Sequence, residues 1–225
     1  MPLFEIPWGI GSLACIGIGI RLWFIRQKSQ KTFNYFAKFF IFGGLGFTIA
    51  TLVGPIITNP FFMKLGMVAS LFIIFTSTAY LIRLCCFLFY PKLEKTAFWG
   101  VIFCNLLLLV FQLNDFLLQK GFPFFFDSKF RLTIINYPPR VVFLMMIISF
   151  FALFIPGIIF IAKGRESEDR KIKVRSALLG LGMVFFGIGG GTNTIPQVPF
   201  PLISAASLTF AFFCILVGAY YSIRK

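Results

Sequence analysis

Apolar runs of about twenty residues recur along the whole chain, and short polar or charged segments separate them. A helix of about 20 apolar residues matches the thickness of the hydrocarbon core of a bilayer. Nearly every charge lies between the runs, whereas a soluble helix carries its charges along one face. Only 12% of the 225 residues are charged, against about 25% in ordinary soluble domains. We therefore expect a membrane protein.

The pattern predicts an all-α membrane protein, in which residues 1–225 form a single seven-helix transmembrane domain. The predicted spans are 7–25, 38–57, 65–88, 97–118, 140–162, 176–195 and 201–221. Asn59-Pro60 is expected to close the turn after the second span, and Pro156-Gly157 to kink the fifth. Glycine patches at 43–46 and 187–191 predict close approach of neighbouring helices.

The orientation follows from the segment 163–201. A densely charged loop, 163–175, precedes the sixth apolar run, and an uncharged turn rich in Gly, Pro, Thr and Asn follows that run. Lys and Arg concentrate on the cytoplasmic side of membrane proteins. With seven alternating spans, 16 of the 21 Lys and Arg residues are inside, and the five outside are Lys64, Lys120, Lys129, Arg131 and Arg140. The predicted topology is N-out and C-in.

The longest outer loop, residues 119–139, contains a period-two alternation. Basic or hydroxyl residues alternate with Phe130, Leu132 and Ile134 beside a cluster of phenylalanines. Alternation of this kind predicts a strand. We expect a short outer β-hairpin between helices four and five, resting on the bundle because an isolated hairpin is only marginally stable.

Several kinds of chemistry have no residues to support them. The chain has no His, and its five Cys residues are dispersed, so neither an imidazole metal site nor a disulfide framework is expected. No Asp, Glu or Lys lies centrally in a predicted span, although acid–base and covalent catalysis need such groups. We predict no enzyme activity, no catalytic residue, no metal and no cofactor. The Lys and Arg residues that give the net charge of +14 flank the spans. This placement favours contact with lipid headgroups over nucleic acid.

Four polar residues are candidates for a ligand site. Asn105 and Gln112 are seven residues apart and therefore share a helix face, and Thr192 and Asn193 stand at the outer end of the sixth span. Each pair has two interpretations: hydrogen bonding between helices or at a helix end, or lining of a cavity. Arg83, near the inner end of the third span, is expected to snorkel to the interface. The candidate partner-binding residues on the cytoplasmic loop are Arg165, Arg170, Lys171, Lys173 and Arg175.

A resemblance to a known family is carried by the last two spans. The basic residues at 171–175 precede a Gly/Leu-rich span that contains Leu178-Leu179-Gly180-Leu181-Gly182. This span ends in Gly190-Gly191-Thr192-Asn193 and a Pro-rich turn. The last span ends in Gly218-Ala219-Tyr220-Tyr221-Ser222-Ile223-Arg224-Lys225. This resembles the N-terminal seven-transmembrane sensor region of bacterial histidine kinases, as does Tyr137-Pro138-Pro139 before the fifth span. The sequence ends four residues after Tyr221, before the segments that would carry kinase activity in that family, so kinase activity is not part of the expectation.

The resemblance implies a receptor-like sensor module that passes a signal to a cytoplasmic partner, in the bacterial cytoplasmic membrane. The alternatives are a small membrane transporter or carrier, favoured by the Gly-rich and kinked helices, and a non-catalytic assembly subunit. Candidate partners are the lipid bilayer, a cytoplasmic signalling protein, a hydrophobic small ligand and a second copy of the chain. Nucleic acid is not expected.

Overall fold

The computed structural model describes residues 5–25, 31–56, 59–118, 124–127, 132–135, 137–192, 195 and 199–223. These residues are overwhelmingly helical. The helices are α1 (Glu5–Ile25), α2 (Lys31–Ile56), α3 (Pro60–Phe89), α4 (Glu94–Leu118), α5 (Pro139–Ser149), α6 (Ile155–Arg165), α7 (Arg170–Thr192) and α8 (Phe200–Ile223). A 3-10 turn, Pro91–Leu93, joins α3 to α4, and a π-helical segment, Phe150–Phe154, joins α5 to α6.

Five helices in the described part of the chain are long and apolar enough to cross a membrane. They are Lys31–Leu52, Phe61–Phe89, Pro91–Asp115, Pro139–Arg165 and Arg170–Thr192. Two shorter apolar helices, Gly9–Phe24 and Leu202–Gly218, lie in α1 and α8. The length and apolar character of these helices are those of an integral membrane protein.

Most helices extend beyond the apolar runs that predicted them. The second begins at Lys31 instead of 38, and the third at Pro60 instead of 65. Asn59 caps α3: its side chain accepts a 2.9 Å hydrogen bond from the Phe61 N–H, and Pro60 occupies the first helical position, where no N–H is needed. Apolar length thus locates a span but not the helix end, because polar residues also continue a helix.

The charged segment 163–175, predicted to be a loop, is mostly helical. Lys163 and Arg165 end α6, and α7 already begins at Arg170. The Asp169 carboxylate accepts a 2.7 Å hydrogen bond from the Lys171 N–H, which is a side-chain cap for the start of α7. The prediction of a loop was therefore wrong for residues 163–165, which end α6, and for residues 170–175, which form the first turns of α7.

Each long helix packs against the next one along the chain, and α8 also contacts α1. One core cluster combines residues of α1, α2, α3, α7 and α8 with Leu153 of the π-helical segment and Phe160 of α6. The other joins α3 and α4 to Tyr137, α5 and Ala152 of the π-helical segment. Because α3 contributes to both clusters and also contacts the π-helical segment, it is the shared element of the bundle.

Glycines set the closest helix approaches. A methyl group at Gly180 would lie 2.6 Å from the Gly157 carbonyl oxygen, so α6 and α7 meet backbone to backbone. A methyl group at Gly44 would lie 2.7 Å from the Ser12 carbonyl oxygen of α1, and one at Gly46 would lie 3.0 Å from the Ser70 carbonyl oxygen of α3. The 43–46 patch thus brings two neighbouring helices close, as predicted. The 187–191 patch does so at Gly187 and Gly189, whereas a methyl group at Gly191 would meet nothing within 4 Å among the described residues.

The break expected at Pro156 has the form of the π-helical segment. The Ile155 N–H donates to the Phe150 carbonyl, five residues earlier. Pro156 has no N–H, and in a regular helix its ring would clash with the carbonyl four residues before it. Widening one turn just before Pro156 is a known way in which helices accommodate such a conflict.

Two short strands lie between α4 and α5. Strand β1 (Phe124–Asp127) pairs antiparallel with β2 (Leu132–Ile135), and Phe124 lies opposite Ile135. Strand β2 contacts α8. The predicted loop also includes 119–123, 128–131 and 136, which are outside the described residues, and its role as an outer cap stays a prediction.

Candidate functional site

An ion pair joins α4 to α5 at the end of the bundle where β1 and β2 lie. Arg140 Nη2 donates to Asp115 Oδ1 at 2.5 Å, and the Arg140 guanidinium lies 5.4 Å from the centre of the Phe111 ring. Asp115 is in the last turn of α4 and Arg140 in the first turn of α5. An open cleft of about 350 Å³ surrounds the pair, and its remaining lining residues are Asn114, Leu118, Pro138 and Pro139.

Beneath this cleft, α4 carries polar atoms without partners. Asp115 Oδ2 is buried and accepts no hydrogen bond from the described residues, and neither amide atom of Gln112 has a partner there. Gln112 is 1% exposed, and it lies one helical turn below Asp115 on the same face. A buried polar group left unpaired costs about 1–3 kcal/mol. The site therefore offers a carboxylate acceptor and an amide donor and acceptor to a polar group or water entering from the cleft.

Asn105 has a different role, although the sequence paired it with Gln112. Its amide nitrogen donates to the Phe72 carbonyl at 2.9 Å and to Thr76 Oγ1 at 3.0 Å, both on α3. It is fully buried, and its Oδ1 atom has no partner among the described residues. Of its two interpretations, hydrogen bonding between helices is the one observed. The α3 hydroxyls bond back to their own helix, as with Thr76 to Phe72 O at 2.8 Å.

Thr192 is satisfied by its own helix, and Asn193 is outside the described residues. Thr192 Oγ1 donates to the Ile188 carbonyl at 2.8 Å, which is a common way for a hydroxyl to be paired in an apolar helix. Thr192 is not among the residues that line the cleft at Asp115. Of the three candidates that the structure describes, Gln112 is the one whose amide has neither of its polar atoms paired among the described residues.

A second polar cluster, which the sequence analysis missed, joins α2, α3 and α4 at the opposite end of the bundle. Glu94 Oε1 accepts hydrogen bonds from the Tyr35 hydroxyl at 2.6 Å and from Arg83 Nε at 2.9 Å. The Arg83 guanidinium also lies 4.8 Å from the Tyr35 ring centre and 4.9 Å from that of Phe98. Arg83 is therefore paired and stacked, so the prediction that it merely snorkels was incomplete. The sequence signal that could have revealed this cluster was Arg83 and Glu94, which lie on either side of the short turn Pro91–Leu93.

The candidate partner-binding residues are largely exposed. Arg165, Arg170, Lys171 and Lys173 are exposed, whereas Arg175 is half-buried. Lys163 makes a 3.0 Å ion pair with Glu166. The intervening turn is ordered by backbone bonds such as Ser167 N to Gly164 O at 3.3 Å. The basic residues therefore project from a defined turn and helix start.

No group of three or more His, Cys, Asp or Glu side chains suited to a metal occurs among the described residues. Comparisons of the chain with protein-family models, with curated proteins and with solved structures find no match.

Proposed function

We propose that this protein is a receptor-like sensor module of the bacterial cytoplasmic membrane, with seven spans, its N-terminus outside and its C-terminus inside. The distribution of Lys and Arg supports this topology, since 16 of 21 lie in the segments assigned to the inside. In this orientation the Asp115–Arg140 cleft opens outward. The basic residues 165–175 and the Arg83–Glu94 cluster face the cytoplasm.

One structural feature carries the proposal: a single helical path connects the cleft to the basic segment. Arg140 lies in the first turn of α5 and Arg165 ends α6, and only the π-helical segment Phe150–Phe154 interrupts the path. π-Helical turns occur often at functional sites. Such a turn differs from an α-helical one by a discrete change in hydrogen-bond register, so it offers the two-state element that a switch requires.

The contacts of the π-helical segment link it to α7. A methyl group at Gly187 would lie 3.2 Å from the Ser149 carbonyl and 3.3 Å from the Phe154 nitrogen. With so little space, a change of register in the segment must also move α7. Since α7 begins at Arg170, such a movement is passed to the cytoplasmic basic residues, where a signalling partner would read it.

The chemistry of the cleft indicates the kind of ligand. Its walls include Leu118 and two prolines, and its polar groups are Asn114, Asp115 and Arg140. The unpaired amide of Gln112 lies one helical turn below them. A small, largely apolar molecule with a hydrogen-bonding group would satisfy the unpaired atoms and perturb the ion pair. Because Arg140 lies in the first turn of α5, binding that perturbs its ion pair would act on the start of the helical path.

Hydrogen–deuterium exchange tests this coupling without knowledge of the ligand. In the purified protein, Arg140→Gln removes the ion pair and should increase amide exchange in both 147–156 and 166–172. The control, Lys95→Gln, changes an exposed cation at the other end of α4 and should leave both peptides unchanged. The reversed pair Asp115→Arg with Arg140→Asp should restore the wild-type exchange. Unchanged exchange at 166–172 in a folded Arg140→Gln protein would contradict the proposed transmission.

A carrier remains the second candidate function. It is favoured by the backbone contact of Gly157 with Gly180, which would allow α6 and α7 to slide past each other. Coupled carriers, however, place ionisable groups near the membrane centre, and the sequence places none there. If vesicles with the protein and vesicles without it take up a labelled small solute equally, the result would favour a sensor over a carrier.

A further inference from the structure

A groove between α1 and α2 has a chemistry that the proposed sensor function does not use. Its volume is about 540 Å³, and it is lined by Ile20, Trp23, Phe24, Lys38, Ile41 and Phe42. Grooves of roughly 300–1,000 Å³ are the usual size for sites that hold small molecules. Five of the six lining residues are large and apolar, and the sixth carries a positive charge.

The charge of Lys38 is held in place but not neutralised. Its ammonium nitrogen lies 5.2 Å from the centre of the Tyr80 ring, and Phe42 stacks on the same ring at 5.7 Å. A cation–π contact orients an ammonium group without cancelling its charge. The three ion pairs found within the described part of the chain do not involve Lys38.

The position of the groove suits an amphipathic occupant. Lys38 lies seven residues into α2, about 10 Å along the helix from its inner end. Trp23 stands two residues before the end of α1. Trp and Lys are typical of the depth at which headgroups meet acyl chains. An occupant there would have an apolar chain along the walls and a negative group at the inner end.

We propose that this groove binds one anionic diacyl phospholipid. Its headgroup phosphate pairs with Lys38, and one acyl chain lies along Ile20, Phe24 and Ile41. A second copy of the chain fits less well, because it would have to bring a carboxylate to Lys38 at this depth. Glu94, the acidic residue at the inner end of α4, already accepts hydrogen bonds from Arg83 and Tyr35.

Trp23 provides a local probe for the test. Replacement of the other two tryptophans, as Trp8→Phe with Trp99→Phe, leaves Trp23 as the sole indole fluorophore. This protein is reconstituted into phosphatidylcholine vesicles that contain bromine-labelled lipid, either phosphatidylglycerol or phosphatidylcholine, at the same series of increasing fractions. Bromine quenches indole fluorescence at short range, so the two quenching curves report which lipid occupies the groove.

We expect brominated phosphatidylglycerol to associate with the Trp23 site about fivefold more strongly, the factor that corresponds to one Lys attracting an anionic lipid. Lys38→Gln should reduce the ratio to about one, and Lys38→Arg should keep it. The control Lys95→Gln, which changes an exposed residue on α4, should keep it too. Circular dichroism establishes that each variant is folded.

Three results would overturn the proposal. Equal quenching by the two lipids in the Trp23-only protein would mean ordinary lipid contact without a site. No quenching by either lipid would mean that protein, such as a second copy, covers the groove. A loss of preference in Lys95→Gln as large as that in Lys38→Gln would assign the effect to overall charge.

Discussion

Arg83 Nε lies 2.9 Å from Glu94 Oε1, and this pair ties α3 to α4 across the turn at Pro91–Leu93. The side chains are only 26% and 13% exposed, so water screens the interaction less than at an open surface. The Tyr35 hydroxyl donates to the same oxygen, which adds α2 to the connection. One carboxylate oxygen thus joins three consecutive helices at the end of the bundle opposite the Asp115–Arg140 cleft.

We expect Glu94→Gln to lower the free energy of unfolding by about 1–3 kcal/mol, because Arg83 would keep a charge without its counter-ion. Tyr35→Phe should lower it by about 1 kcal/mol, the value of one hydrogen bond. The control is Glu166→Gln, which breaks the exposed ion pair with Lys163 and should cost under about 1 kcal/mol. Unfolding in mixed detergent measures all three. Equal stability of Glu94→Gln and Glu166→Gln would contradict the role given to the cluster.

The glycine contacts predict opposite effects for two substitutions on α7. Gly180→Ala places a methyl group 2.6 Å from the Gly157 carbonyl, and such overpacking typically costs about 1–3 kcal/mol. Gly191→Ala has open space around the new methyl group and gains helix propensity, so it should be neutral or slightly stabilising. Thermal unfolding in detergent compares the two. If Gly180→Ala melts like the wild type, the close approach of α6 and α7 is wrong.

Asn105 and Gln112 should respond differently to apolar replacement. Asn105→Leu removes two hydrogen bonds to α3 and should lower the free energy of unfolding by about 1–3 kcal/mol. Gln112→Met removes an amide with no partner among the described residues, and should leave stability unchanged or raise it. The same unfolding assay checks both. A large loss of stability in Gln112→Met would mean that the amide is already paired and does not await a ligand.

The proposed topology predicts which side of the membrane each loop faces. In a Cys104→Ala background, Ser167→Cys should react with a membrane-impermeant maleimide only after the membrane is opened. Ser128→Cys should react in intact cells. Cys104 is removed because it is half-buried, whereas the other four cysteines are buried. Labelling of Ser167→Cys in intact cells would invert the assigned orientation.

The sequence by itself determined the membrane class, the helical character and the approximate place of each helix. These follow from the length and polarity of local segments. Each predicted span falls in a helix, except that the fifth is divided among α5, the π-helical segment and α6, that Ile195 at the end of the sixth is not helical, and that 57 and 193–194 lie outside the described residues. The capping of α3 by Asn59 likewise depends on adjoining residues. Apolar length did not locate helix ends, as the early starts of α2 and α7 illustrate.

Only the tertiary structure decided which polar groups meet. Arg83 finds Glu94 and Tyr35, and Asn105 finds Thr76, whereas Gln112 finds no partner within the described chain. The reason is that these helices are apolar on nearly all faces, since both lipid and the protein core are apolar. Local periodicity therefore does not encode the rotation of each helix about its axis. Rotation is set by glycine contacts and by packing between residues far apart in the chain, and it is rotation that brings Asp115 to Arg140 and creates the cleft.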